Sequence, residues 1–318
     1  MIRSDPVDSV DRPGRSDQSA PPDQSAPDRS ADLVGSAERA ARGAARAAGV
    51  SLRLLDQIEQ MTAAADLLAS LWGQSGSEPM TPELLRALAM TGNYVGGAFQ
   101  ADQLVGVAVA FHSMLDYREL HSHIAGVKTG LISRSIGFAL KQHQRAWALA
   151  RDIRVIEWTF DPLVARNAAF NIGKLGAEVE RYLPDFYGRM DDAINVGQPS
   201  DRLLVRWWLD HPLVVAAAAG QRRMVDPAQA QAFVAVPPDI EALRRSDPAQ
   251  AGQWRQRVRA TLAPALAAGE RVVGFDSQRG YALVPPSRPA PAAGRSERSG
   301  LSERCDQPTR SERTAFDH

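Results

Sequence analysis

Residues 118–140, RELHSHIAGVKTGLISRSIGFAL, decide how this chain is read. Leu120–Val127 has the apolar content of a strand, the small residues after it make a loop, and a helix opens on Arg134-Ser135-Ile136-Gly137-Phe138-Ala139. A helix start carries backbone amides with no partner within the helix, together with the positive end of the helix dipole. Phosphate or pyrophosphate binds to such a start, and small residues let the backbone approach it closely. The stretch therefore points to a phosphorylated cofactor.

Two common phosphate-binding patterns are missing. A dinucleotide fold would carry Gly-x-Gly-x-x-Gly after an early strand, with an acidic residue some way on; no such spacing occurs. Gly126-Val127-Lys128-Thr129 imitates only the tail of a P-loop, since no glycine directly precedes the lysine. Arg134-x-x-Gly137-x-Ala139, lying after an apolar strand and before an amphipathic helix, resembles the Arg/Gln-x-x-Gly-x-Gly/Ala signature of the GNAT superfamily of acyl-CoA-dependent acyltransferases.

The order of elements around this stretch agrees with the resemblance. Ser51–Leu55 reads as a first strand, and Ile58, Met61, Ala65, Leu68, Leu71 and Trp72 follow at helical spacing. Thr81-Pro82-Glu83 starts a second helix. Tyr94–Phe99 and Leu104–Phe111 form a hairpin about residues 100–103. Leu120–Val127 is the fourth strand, and the helix from Ser135 to Ala150 buries Ile136, Ala139, Leu140, His143, Trp147 and Ala150. Val155–Phe160, a helix over Ala165–Leu175 and a last strand at Leu203–Trp207 complete the series. The resemblance implies an α/β (α+β) fold: a mixed, mostly antiparallel central sheet flanked by helices.

A second block resembles the family after the fifth strand, where Asn167 leads to Lys174-Leu175-Gly176. In the family that asparagine contacts the pantetheine arm. The spacing is about two residues shorter here, and Ile172 stands where the family often has a tyrosine that protonates the leaving thiolate. The run from Trp158 to Arg202 resembles an uncharacterised bacterial branch of the superfamily.

Composition sets limits. The chain has 318 residues, 44% of them hydrophobic, with 37 basic and 37 acidic side chains. That balance argues against nucleic-acid binding through a broad basic surface. A single cysteine, Cys305, excludes a disulfide framework and a cysteine zinc site, and no metal is expected. The opening residues have no apolar signal region and no run approaches membrane-spanning length, so a cytoplasmic protein without membrane contact is expected. Residues 1–48 and 285–318 are rich in Ser, Asp, Pro and Arg and are expected to be disordered tails. Residues 49–212 would form the GNAT-like domain, and 213–284 a small α/β appendage without assigned chemistry. Lysine occurs at positions 128, 141 and 174 against a large excess of arginine, which reads as compositional bias.

The resemblance implies how acetyl-CoA or another acyl-CoA would be held. Splaying of the fourth strand from the fifth would free amides near Ile124, Ala125 and Val127. The pyrophosphate would lie on the amides of Ser135, Ile136, Gly137, Phe138 and Ala139, with Arg134 adding charge and Asn167 touching pantetheine. His121 and His123 lie two apart on one strand and so share a face. Either is a candidate base, or both are polar residues packing against a neighbour. Glu157 is a rival base, and Tyr182 or Tyr187 a candidate acid. The expected activity is transfer of an acyl group to an amine of a small molecule or peptide, by direct attack in a ternary complex. The alternative is a non-catalytic acyl-CoA-binding or partner-docking protein. A homodimer that completes the pocket is left open.

Overall fold

A computed structural model describes residues 26–72, 79–113, 118–131, 135–188, 199–221 and 230–286. Its centre is a seven-stranded sheet in the order β1-β2-β3-β4-β5-β7-β6. The strands are β1 (Ser51–Leu54), β2 (Tyr94–Gln100), β3 (Gln103–His112), β4 (Glu119–Val127), β5 (Val155–Phe160), β6 (Glu178–Leu183) and β7 (Arg202–Trp208). Every neighbouring pair is antiparallel except β4 and β5. The turn joining β2 to β3 holds Ala101 and Asp102 at φ 46° and 62°, and two left-handed central residues give the turn twist that a tight hairpin needs.

Helices cover the two faces differently. On one face, α2 (Ile58–Trp72) and α3 (Pro82–Met90) bury Met61, Leu68 and Leu85 against Val95, Phe99, Val107 and Val109. Thr81 caps α3 by accepting from the Leu84 amide at 3.3 Å, with Pro82 in the first turn. Gly126 lets α2 come close, since a Cβ there would lie 2.5 Å from Leu71 Cδ1 and 2.7 Å from Trp72 Cζ3. On the other face, α4 (Ile136–Leu149) packs Ile136, Ala139, Leu140 and Trp147 into the main core. Ala150, expected in that buried stripe, is exposed just past the helix end.

The expected N-terminal tail needs correction. Ala26–Ala48 forms a helix, α1, lying on α4 with Ala37, Ala41 and Ala48 buried. Averaged composition hid a stripe of alanines spaced at about one helical turn. Alanine is the best helix former, and its small side chain permits close helix packing. Residues 1–25 and 287–318, with Cys305, lie outside the described residues. Strand β6 also went unread because its EVERYL sequence is charged and mostly exposed, as suits a sheet edge.

After β5 come α5 (Ala165–Ala168) and a π-helical turn over Ala169–Lys174. After β7, α6 (Pro212–Ala218) leads to a second, three-stranded antiparallel sheet ordered β8-β10-β9. Its strands are β8 (Ala232–Val234), β9 (Arg271–Asp276) and β10 (Gly280–Val284), with α7 (Ile240–Ser246) and α8 (Pro248–Ala267) between β8 and β9. This unit is fastened to the sheet by buried charges. Asp161, at the end of β5, takes Arg255 at 2.8 Å and Arg244 at 2.5 Å, and Tyr281 donates to the Pro162 carbonyl at 2.7 Å. Asp201 accepts from Arg259 Nε at 2.9 Å and from the Tyr182 hydroxyl at 2.5 Å.

Candidate active site

The site is built where β4 and β5 part. Their parallel pairing covers Glu119 with Val155, Leu120 with Ile156 and His121 with Glu157, and then stops, although β4 runs on to Val127 and β5 to Phe160. On its other edge β4 stays paired to β3, with a register shift that leaves His123 as the extra residue of a bulge. Beyond the bulge, Lys128 donates to the Val105 carbonyl at 2.9 Å. Hydrogen-bonding direction alternates along a strand, so Gly126 and Ile124 also turn their amides to β3. Ala125 and Val127 turn theirs into the gap. Of the three amides expected there, Ile124 is therefore committed to the sheet.

The start of α4 lies next along the chain. Ser135 is its N-cap in the left-handed conformation, φ 61°, and its own side chain does not cap the helix. Ala139 donates to the Ser135 carbonyl at 3.0 Å, so its amide is spent inside the helix, contrary to expectation. Ile136, Gly137 and Phe138 are the positions whose amides a helix leaves unpaired. Among the described residues, a Cβ on Gly137 would come near only Val127 Cγ2, at 4.0 Å, so none of them crowds that position. That cradle fits a phosphate group. Lys174, from the π-helical turn, donates to Ser135 Oγ at 3.2 Å and lies 4.8 Å from the centre of the Phe138 ring. It brings a cation to the same helix start. Arg134 lies outside the described residues. Asn167 sits in α5, half-buried, and Ile172 is core, so no hydroxyl stands at that position.

The candidate bases come together on the sheet face that α4 does not cover. His121 Nδ1 lies 3.7 Å from Glu157 Oε1, and Phe111 lies 5.2 Å and 5.6 Å from the rings of His121 and His123. The hydrogen bond from His121 leads the effects that hold the Glu157 carboxyl below its usual pKa, which makes it a weak base. His123 titrates below the ordinary histidine value because its ring is partly desolvated and His121 stands beside it. It is therefore neutral at pH 7 and able to take a proton. Arg206 links Glu119 to Glu180 beside them.

Tyr182 does not join this group. Residues paired across a sheet share a face, so its partner Leu203, buried in the core, puts Tyr182 on the side opposite His121 and Glu157. Burial, then its bond to Asp201, raises the Tyr182 pKa well above the ordinary phenol value. Tyr187 is better placed, its hydroxyl 3.3 Å from Thr159 Oγ1 on the same face as Glu157. Sequence reasoning passed over Lys141. It is buried under the point where β4 and β5 separate, donating to Ser122 Oγ at 2.7 Å and lying 3.9 Å from the centre of the Trp158 ring. The only signal was its rarity: two of the three lysines in the chain flank the site.

Among the described residues, no group of three or more His, Cys, Asp or Glu is arranged to hold a metal ion, and no helix is long and apolar enough to cross a membrane. The mostly antiparallel sheet parted between β4 and β5, with helices on both faces, is the kind of mixed sheet that the sequence resemblance implied. Similar solved structures include an N-acetyltransferase from Staphylococcus aureus Mu50, at 13% identity over 51% of this chain and 99% of that one, with a TM-score of 0.43. An acetyltransferase of the GNAT family from Streptococcus pneumoniae is similar at 12% identity over 49% and 97%, TM-score 0.41. So is yncA from Salmonella typhimurium, solved with its cofactor acetyl-CoA, at 15% identity over 52% and 96%, TM-score 0.42. No family model matches the sequence, and no curated protein is similar to it.

Proposed function

We propose that this protein is an acyl-CoA-dependent N-acyltransferase that moves an acetyl or other acyl group to an amine. The observation that carries the reading is the parting of β4 from β5 beside a helix start that Ser135 does not cap and where none of the described residues crowds Gly137. Ile136, Gly137 and Phe138 would hold the pyrophosphate through their amides, with Lys174 supplying charge. Ala125 and Val127 would offer amides to the cofactor arm and the acyl carbonyl, as donors preset for developing negative charge. Acyl-CoA brings the activated thioester.

The chain's other residues manage protons. His123 takes the proton of the incoming ammonium, directly or through water, and presents a neutral nucleophile. His121 and Glu157 orient that face, and Phe111 gives it an apolar wall. The lone Cys305 lies outside the described residues, and direct attack on the thioester is the simpler route. Calorimetric titration with acetyl-CoA, CoA and NADH tests the proposal. Saturable binding of the first two, with free thiol released when an amine library is added, is the expected result. Failure to bind either CoA compound overturns it.

A further inference from the structure

Lys141 is a buried amine in a place where a merely structural residue would be apolar. It projects from the second turn of α4, and its ammonium bridges the two strands at the step where their pairing ends. Ser122 on β4 accepts from it at 2.7 Å, Gln144 Oε1 at 3.1 Å, and the Trp158 ring of β5 lies 3.9 Å away. None of the ion pairs among the described residues involves it. Gln144 is fully buried as well, and its Nε2 has no partner. A buried polar pair with a spare donor therefore lies under the first open step of the gap, on the α4 side.

Direction decides what such a group can do. A cofactor anchored at the start of α4 enters the gap from the α4 side, whereas His121, His123 and Tyr187 face the other side, from which the amine arrives. The sulfur departs towards the anchored side. Resting on the acyltransferase reading, we propose that Lys141 is the proton donor to the departing thiolate, replacing the hydroxyl that Ile172 lacks. As the amine nitrogen bonds to the acyl carbon and the C–S pair returns to sulfur, an Nζ–H proton goes to that sulfur. Neutral Lys141 then regains a proton from water as the acceptor nitrogen loses its own. Burial lowers the Lys141 pKa to about 7, which suits a group that must give up a proton and recover it in each cycle.

The test is the ionisation of bound CoA, followed by thiolate absorbance as pH rises, in wild type, Lys141→Met and Lys141→Gln. Methionine fills a similar volume and removes a buried charge, so the fold is expected to survive. An ammonium beside the sulfur should lower the bound thiol's titration by about one to three pH units from its value in free CoA. Both variants should bind CoA yet return the thiol towards that value, with kcat falling more than KM rises. Equal thiol titrations in all three proteins would overturn the assignment. A wild type that does not bind CoA overturns the acyltransferase reading beneath it.

Discussion

Replacing Gly137 by glutamate should separate binding from stability, because the two effects have opposite signs. In the free protein a Cβ at this position meets, among the described residues, only a methyl of Val127 at 4.0 Å, so none of them clashes with it. Glycine within a helix costs about 0.5–1 kcal/mol relative to alanine. A carboxylate in the first turn adds about 0.3–1 kcal/mol through the dipole. The variant should therefore gain about 1 kcal/mol, which in a domain of this size raises Tm by about 2–4 °C. The same carboxylate stands over the Ile136, Gly137 and Phe138 amides and repels a pyrophosphate. Losing even one charge-assisted hydrogen bond, about 1.5–3 kcal/mol, weakens acetyl-CoA about 10- to 100-fold. Thermal unfolding and calorimetric titration of the same preparation read both quantities. Unchanged affinity in the folded variant would refute the placement of the phosphate. A lower Tm would refute the claim that the position is uncrowded.

Other outcomes can be stated as firmly. His123→Ala should lower kcat/KM about 10²- to 10⁴-fold, and the acid limb of the wild-type pH profile should lie below about pH 6.5, because the lowered pKa keeps His123 neutral above it. A variant as fast as wild type would exclude it as the base. Asp161→Asn should cost about 3–5 kcal/mol in denaturant unfolding, since it leaves Arg255, 2% exposed, without its counter-charge. For the wild type, burial raises the Asp161 pKa but Arg255 and Arg244 together outweigh it, so the folded value is depressed. Its contribution is then present above the unfolded value of about 3.9 and lost as pH falls through the folded one. Acid unfolding should be shallower in Asp161→Asn, and identical acid limbs would count against the pair.

The sheet and its helices were legible because the signals were local. Apolar content marked β4, the Thr81-Pro82 start marked α3, and a four-residue connection marked the β2–β3 hairpin. Helix α1 was not, because its alanine stripe has meaning only once α4 is there to receive it. Within the site, the helix start after β4 could be read from the small residues before it. The division of amides could not. Ile124 and Ala139 are spent through the partners Val109 and Ser135, which depend on register and helix start. Lys141 looked like any polar residue in an amphipathic pattern, and only the third dimension placed it under the parting strands. Tyr182 failed for a similar reason, since the face of a strand depends on the parity of its pairing.

The clasp at Asp161 and Pro162 bears on how much of the chain must be kept together to have a stable protein. The half that holds the seven-stranded sheet resembles a self-contained unit ending near β7, and cutting there would be the natural choice for a smaller preparation. Yet Arg244, Arg255 and Arg259 all come from beyond that cut and answer two carboxylates that sit inside the half left behind, and Tyr281 bonds the Pro162 carbonyl there. Truncation after Trp208 would strand both charges in a newly exposed apolar surface. Asp161 also begins the connection that carries Asn167 and Lys174 towards the start of α4. The shortest autonomous folding unit therefore runs on to about residue 286, and the appendage is a structural partner of the site rather than a passenger.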